Sequence, residues 1–548
     1  MKFTKTLLAL ALATSTSAMA YQANKTYKFT VLHTNDIHGH FWNNNKGEYG
    51  LSAQKNVVDQ IRNEVEKKGG SVIILNAGDV NTGVPESDMQ NARPDIEGLN
   101  EIGYEAMVLG NHEFDSPLQI LTMQEKWAKF PFISANVVNK QTEQPLVKPY
   151  IMLNKNGLKV AVVGLTTEDT AKLGNPDVVG KVVFKKPIQT AEKTLKQINK
   201  KEKPDVRIAL THMGWYLEGK HGTNAPGDVS MARQLPKGSF DMIIGGHTHD
   251  TVCFDEKGQF IEKYKPTMAC KPDYQNGTWI MQAGEWGKYL GRADFEFKNG
   301  KTTLVDYKLI PINLKETIKK EDGTREYKLY AEEIQPDAVL HAKLKKYQDE
   351  GDKTLGVIVG KTDGFFNGKR EAVRFEQTNL GRLIAQSQME RVKADIGIMN
   401  SGGVRASLPE GDVSYKDILT VQPFGNMIST LDLKGQELVD FLTIVALKQT
   451  DTGGYPQLAG ISMVVDRSTK TISDVKIGGQ PLDMNKTYKV SIPDYLTGGG
   501  DGYPVMKNHP TYVNTGFIDA EMLKKYFEEN KVLKATDYDP REDVIFKN

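Results

Sequence analysis

Cysteine is nearly missing from this chain: Cys253 and Cys270 are the only two in 548 residues. So few sulfurs argue against any metal role for them. Long apolar runs are missing too. The most apolar stretch near the start, Leu7 to Ala13, falls far short of the roughly 20 residues that cross a bilayer, and no later segment reaches that length. A charge excess is equally lacking. The formal net charge is +1, which leaves no basic surplus to hold a nucleic acid polymer by its phosphates. No internal repeat or low-complexity tract occurs, and a composition of 39% hydrophobic and 25% charged residues excludes global disorder. The length exceeds one typical core, so two or more domains are expected.

What is present begins with a leader pattern. Lys2 and Lys5 precede the short apolar run, and Ala18-Met19-Ala20 has the small-x-small form of a cleavage site. Residues 1–20 are therefore expected to be a signal peptide, cut before Tyr21. Losing Lys2 and Lys5 takes the formal charge from +1 to −1. No cysteine lies near the cut to carry a lipid, so a soluble, exported product without a stable membrane anchor is expected, periplasmic or secreted. Export suits pairing of Cys253 with Cys270 better than two buried thiols. Closing that loop stabilises by about 3 kcal/mol in the chain-entropy view.

From Tyr27 to about Pro311, short β-rich runs alternate with amphipathic stretches such as Ser52–Lys68 and Pro187–Lys200. Candidate strands are Phe29–Leu32, Val72–Leu75, Ala106–Leu109, Val160–Val163, Arg207–Leu210 and Met242–Ile244. Near-continuous apolar strands between helices indicate an α/β domain with a sheet covered on both faces. Charged residues dominate Lys315–Lys328, read as a linker, followed by a helical stretch from Ile334 to about Gly351. A second α/β unit comes next, with candidate strands Ile396–Met399, Ile428–Leu433 and Tyr488–Ile492. The expected division is 21–333, a bridging helix at 334–355, and a smaller unit at 356–548.

The apolar runs themselves are core; the residues just past their ends carry chemistry. Ligand-binding groups in open α/β sheets sit beyond the carboxyl ends of strands. Five of the candidate strands lead into ligand-type residues: Asp36 and His38, then Asp79, then Asn111 and His112, then His212, then His247 and His249. Chance explains one such coincidence, not five. Carboxylates, imidazoles and an amide suit a pair of cations about 4 Å apart that bind phosphate and acidify a shared water. Imidazole favours zinc, with nickel, cobalt or manganese as alternatives.

These segments, Asp36-Ile37-His38, Gly78-Asp79, Gly110-Asn111-His112-Glu113, Thr211-His212 and Gly246-His247-Thr248-His249, resemble the calcineurin-like metallophosphoesterases, whose fold is a two-sheet α/β/β/α sandwich. The resemblance implies that Asp36, His38 and His249 bind one divalent ion, that Asn111, His212 and His247 bind the other, and that Asp79 bridges them. It makes His112 the proton donor to the leaving oxygen, with Asp115 orienting its ring. His33, His40, His221, His341 and His509 match no ligand position.

Further segments, Asn224-Ala225-Pro226-Gly227-Asp228, Val421-Gln422-Pro423-Phe424-Gly425-Asn426 and Gly498-Gly499-Gly500-Asp501-Gly502-Tyr503-Pro504, resemble the secreted 5′-nucleotidase family, in particular its bacterial periplasmic UDP-sugar hydrolase/5′-nucleotidase members. By that resemblance the second domain recognises the nucleoside. Phe424 and Tyr495 sandwich the base, worth about 1–3 kcal/mol per stacked base, although the family usually has Phe at the position of Tyr495. Arg370, Arg374 and Arg405 face phosphate with bidentate forks. Asn400, in a glycine-rich loop after a strand, joins Asn426 and Asp501 as a polar contact.

The implied activity is hydrolysis of nucleoside 5′-monophosphates and of the UDP-sugar diphosphate by in-line attack of metal-bound hydroxide, on small-molecule nucleotides and by a monomer. A site split between domains further implies that rotation of the second domain on the bridging helix carries substrate to the metals. Two rivals remain: a 2′,3′-cyclic nucleotide phosphodiesterase/3′-nucleotidase, and a non-catalytic nucleotide-binding or adhesive exported protein.

Overall fold

The computed structural model of the protein describes residues 21–174, 176–219, 225–320, 325–540 and 543–547. Residues 1–20, expected to be a signal peptide, together with His221 and Asn224, lie outside the described residues. Two six-stranded sheets form the first unit. One runs in the order Lys301–Pro311, Tyr289–Lys298, Tyr27–Thr34, Ser71–Asn76, Ala106–Val108, Phe132–Ile133. The other runs Asp273–Gln275, Thr278–Met281, Met242–Ile244, Val206–His212, Leu158–Thr166, Tyr150–Lys155. Each sheet has four parallel strands; the first adds an antiparallel pair at one edge, and the second adds one antiparallel strand at each edge.

Side-chain alternation along the strands explains how these sheets stack. Phe29, Val31, Ile73 and Leu75 point inward from one sheet and meet Val160, Val162, Ile208, Leu210 and Ile244 of the other in a single buried cluster. Their neighbours Leu32 and Ile74 point the other way, onto the helix Leu51–Lys67, whose Val58, Ile61 and Val65 recur at helical spacing. On the far side Ala161, Val163, Ala209 and Ile243 pack on the helix Pro187–Lys201. The result is the expected four-layer α/β/β/α sandwich, and it explains why the strands read as continuous apolar runs: both faces are buried. Each fully buried large side chain contributes about 1.5–3 kcal/mol.

The charged stretch read as a linker is instead an antiparallel hairpin, Lys315–Lys319 with Arg325–Leu329. Alternation of charged with β-branched or aromatic residues there suits a two-stranded ribbon facing solvent on both sides. The helix expected from Ile334 begins at Ala338, where the Asp337 side chain accepts from the Leu340 N–H, and runs to Leu355. It is docked on the first unit: Leu340 and Leu344 join the cluster around the helix Leu51–Lys67, and the His341 ring lies 4.4 Å from Trp42. Cys253 and Cys270 form a disulfide with Cα atoms 4.7 Å apart. None of the helices among the described residues is long and apolar enough to cross a membrane.

The second unit centres on a five-stranded sheet ordered Pro456–Ala459, Ile396–Asn400, Thr487–Pro493, Met427–Lys434, Val513–Ile518. The helices Asn379–Arg391 and Gly435–Ala446 cover it through Leu383, Ile384, Leu438 and Leu442. The three strands expected here all form.

One buried acid in the first unit leads to a stability prediction. Asp95 sits in the first turn of the helix Arg93–Ile102; one carboxyl oxygen accepts from the Ser87 hydroxyl, and the other has no donor among the described residues. Burial pushes its pKa up to about 8. The folded chain thus holds a proton that the unfolded chain releases near pH 4, so this group's stabilisation is lost as pH rises from about 4 to about 8. Asp95→Asn removes that dependence. Thermal melts should show a stability gain over the parent that is larger at pH 8 than at pH 5; an equal gain at both pH values would contradict the assignment.

Candidate metal centre and substrate cavity

The loops beyond the carboxyl ends of five parallel strands converge, and they bring all seven proposed ligands together. Asp36, His38 and His249 form one group whose ligand atoms lie within 4.8 Å of one another; Asp79, His212 and His247 form a second, and His38, Asp79 and His112 a third. His212 Nε2 stands 2.9 Å from Asp79 Oδ2, His249 Nε2 stands 3.3 Å from Asp36 Oδ1, and the Nε2 atoms of His38 and His249 face each other at 3.2 Å. The Asn111 amide oxygen lies 2.8 Å from His247 Nδ1.

The backbone accepts strain to achieve this. Asp36, His38, Asp79, His247 and His249 all have positive φ, a region that residues other than glycine seldom occupy. Close approach demands glycine beside them: a Cβ on Gly110 would lie 2.1 Å from Asp79 Oδ1. Backbone N–H groups then fix the carboxylates, His112 N–H donating to Asp79 at 2.9 Å and His247 N–H to Asp36 at 3.0 Å. The Asn35 amide adds a further donor to Asp36 at 2.7 Å.

Do these residues fit divalent cations? His38 donates from Nδ1 to the Thr82 carbonyl at 2.7 Å, His212 to the Ala77 carbonyl at 2.7 Å, and His249 to the Glu285 carboxylate at 2.7 Å. Each therefore turns Nε2 toward the carboxylates, ready for a proton or a metal ion. Burial disfavours a charged ring, yet Asp79 raises His212 to about 10, and Asp36 with Glu285 raises His249 to about 9. His38 and His247 are pushed down to about 3 by burial and by neighbouring imidazoles, so they remain neutral. A dry site with two carboxylates that draws protons onto two rings and leaves two others neutral is built for positive charge. The donor set fits two divalent ions.

Around the ligands stand residues to which the motifs assign no role. Glu113 accepts from the backbone N–H groups of Gly110, Asp79 and Val80 at 2.7, 3.1 and 2.9 Å, clamping two ligand loops together. Glu285 holds His249 and is itself bound by Lys288 at 2.7 Å. The Thr82 hydroxyl donates to Asp115 at 2.7 Å, and Asp115 receives His112 Nδ1–H at 2.6 Å. Burial opposes charge on His112, but Asp115 and Asp79 prevail and raise its pKa. Glu113 closes the Gly110–Glu113 motif and so could have been found; no sequence signal marks Glu285 or Thr82. The other histidines keep structural contacts: His40 stacks on Trp286 at 4.6 Å, His33 on Tyr307 at 6.2 Å, and His509 pairs with Glu437 at 2.8 Å.

A cavity of about 960 Å³ opens over this centre, lined by both units. Asp79, Asn111, His112, Asp115, His247 and His249 form one wall; all eight proposed substrate contacts, Arg370, Arg374, Asn400, Arg405, Phe424, Asn426, Tyr495 and Asp501, reach it from the other. Phe424 lies nearly parallel to His112 at 5.9 Å, and the Arg405 guanidinium lies over the same phenyl ring at 5.6 Å. Burial, then repulsion from Arg370 and Arg405, holds Arg374 well below the usual arginine range, the signature of guanidiniums gathered for an anion.

Tyr495 has a definite place, fixed through its hydroxyl. Its hydroxyl donates to Asp501 Oδ1 and accepts from the Asp501 N–H, both at 3.1 Å. Gly500 leaves its ring uncrowded, for a Cβ there would lie 2.5 Å from Tyr495 Cε2. Asn400 donates to the other Asp501 oxygen at 2.8 Å, while its own amide oxygen has no donor among the described residues.

Comparison with known proteins agrees with this architecture. Residues 29–251 match the calcineurin-like phosphoesterase family and residues 358–508 match the 5′-nucleotidase C-terminal domain. Over 552 residues, covering 100% of both chains, the sequence is 52% identical to protein UshA of Yersinia enterocolitica. It is 50% identical to a 5′-nucleotidase of Vibrio cholerae over 99% of this chain and 97% of that one. Among solved structures, a 5′-nucleotidase precursor from Thermus thermophilus superposes with a TM-score of 0.75 at 26% identity, covering 95% of this chain and 100% of that one. The chain belongs to the calcineurin-like phosphoesterases that carry a 5′-nucleotidase C-terminal domain, a family of metal-dependent hydrolases.

Proposed function

We propose that this is an exported, periplasmic two-metal hydrolase that removes phosphate from nucleoside 5′-monophosphates and cleaves the diphosphate of UDP-sugars. One observation carries the reading: the ligand cluster and the guanidinium–aromatic cluster, one from each unit, line a single cavity. A cluster of carboxylates and imidazoles suits phosphate ester cleavage in general; three arginines with stacking rings suit a nucleotide in particular. The name of the Vibrio relative, a 5′-nucleotidase, supports the first of these activities.

Asp36, His38 and His249 would hold one ion, Asn111, His212 and His247 the other, with Asp79 between them. Two divalent ions at those positions would supply Lewis acidity, neutralising phosphoryl oxygens and acidifying the attacking water. The remaining work falls to side chains. Arg370, Arg374 and Arg405 take the phosphoryl charge, since guanidinium forks can pair with two phosphate oxygens at once. His112 gives a proton to the leaving oxygen; Asp115 fixes its tautomer by receiving Nδ1–H, so the other ring nitrogen faces the cavity. Phe424 and Tyr495 stack the base, and Asn400, Asn426 and Asp501 supply polar contacts to base or ribose.

Two measurements test this. Side-by-side assays should show hydrolysis of AMP and of UDP-glucose, the latter giving UMP and glucose 1-phosphate, with 2′,3′-cyclic AMP at least 100-fold poorer in kcat/KM; a preference for the cyclic substrate would favour the phosphodiesterase reading instead. Asp79→Ala should lower kcat for AMP by at least 10³-fold and reduce the bound divalent metal, counted by elemental analysis, from about two per chain; full metal content with full activity would remove the two-metal assignment.

A further inference from the structure

An ion pair joins the two units at their junction. Glu86 belongs to the short helix Pro85–Asp88 of the first unit, and its side chain is 1% exposed. Among the described residues its one cationic partner is Lys416, from the helix Tyr415–Val421 of the second unit. The bridging helix completes the junction. Gln348 donates to Glu86 at 2.9 Å, Asp352 lies 3.6 Å from Lys416, and Gly351 lets the helix backbone pass close over the Glu86 side chain, since a Cβ there would lie 2.2 Å from Glu86 Cγ. The second Glu86 oxygen has no donor among the described residues. A buried carboxylate that relies on a cation from the other unit is satisfied only when the units stand in one relation; in any other it loses that cation and keeps a single amide donor.

That relation is the one in which the cavity is complete. A few residues along the chain, the same segment reaches the catalytic wall. The Gly83 N–H donates to Asp88 at 3.1 Å, the Thr82 hydroxyl binds Asp115, and the Thr82 carbonyl receives His38. One end of segment 82–88 thus touches the proposed proton donor's partner and a proposed metal ligand, while the other is keyed to the unit that brings Arg405 and Phe424. We infer that Glu86 and Lys416 are a positioning pair that selects the orientation in which Arg405 and Phe424 meet His112. This rests on the nucleotidase reading for its kinetic consequence, though not for its structural one.

The test uses the full-length mature chain with its metals. Lys416→Met should lower kcat/KM for AMP at least 10-fold while the far-ultraviolet circular dichroism stays that of the parent, because Lys416 is on the surface of its own unit. Lys416→Arg should restore the rate to within threefold. Glu86→Gln, which strands no charge, should lose less than Lys416→Met. In an Arg405→Ala background the effect of Lys416→Met should shrink to under threefold, since the pair acts by delivering that guanidinium, whereas a purely structural lesion would cost the same in both backgrounds. Solution scattering should show a larger maximum dimension for Lys416→Met than for the parent. A kcat/KM within twofold of the parent, or an equal loss in both backgrounds, overturns the inference. If the parent itself fails to hydrolyse AMP, the nucleotidase reading falls instead, and scattering decides the pair: identical curves for parent and variant would sink it.

Discussion

Acceptor atoms that face one another across a dry centre are the constraint on which this structure turns. Asp36, Asp79 and the Nε2 atoms of His38, His212 and His249 stand 2.9 to 3.9 Å apart, with water excluded from almost all of them. Nothing in that set is a fixed cation, so the groups repel unless protons or metal ions enter, and the fold has to hold them meanwhile. It does so from two sides. Asp36, His38 and Asp79 hang from one sheet; His212, His247 and His249 hang from the other. The apolar layer between the sheets therefore sets the ligand geometry, because sliding one sheet by a single residue would separate the two halves of the set. Left-handed backbone at five of the proposed ligands shows how tightly the loops are drawn.

The same logic says what could be seen in the sequence. Strands buried on both faces announce themselves as continuous apolar runs, and a ligand at the end of such a run cannot be mistaken for a core residue. Six strands of the first unit and the seven proposed ligands were legible for that reason. The hairpin at Lys315–Leu329 was not, because both its faces meet solvent and its apolar residues are too few to stand out against the charges. Glu285 and Thr82 were hidden for another reason. They act through single hydrogen bonds to a ligand or to Asp115, and only the folded chain brings the loop 284–288 beside His249 or Thr82 beside Asp115. Supporting contacts of this kind depend on position rather than on residue pattern, so spacing carries no trace of them.

In the second unit the legible signal was resemblance of motifs: the segments Val421–Asn426 and Gly498–Pro504, with Arg370, Arg374 and Arg405 at matching positions. What could not be read was how the parts engage. The Tyr495 hydroxyl binds both the side chain and the backbone of Asp501, holding a residue with positive φ in place. A phenylalanine would stack equally well, but it would leave the Asp501 N–H and one carboxylate oxygen to find other partners. The hydroxyl thus adds rigidity to the loop that faces the base, a property of the fold and not of the stacking surface.

Phe424 shows why chemistry and recognition are joined in this cavity. Its ring comes from the second unit, yet one neighbour is the His112 imidazole at 5.9 Å and another is the Arg405 guanidinium at 5.6 Å. A flat apolar face beside the imidazole keeps water from that side of the proposed proton donor, and the quadrupole of the same ring favours the arginine cation. A base stacked on Phe424 would be held in register with both. Any displacement of the second unit shifts the stacking face, the guanidinium and the shield over His112 by the same amount. In the proposed reaction, then, nucleoside binding and protonation of the leaving oxygen cannot vary independently, and a phosphate ester lacking a base would forgo one contribution to each.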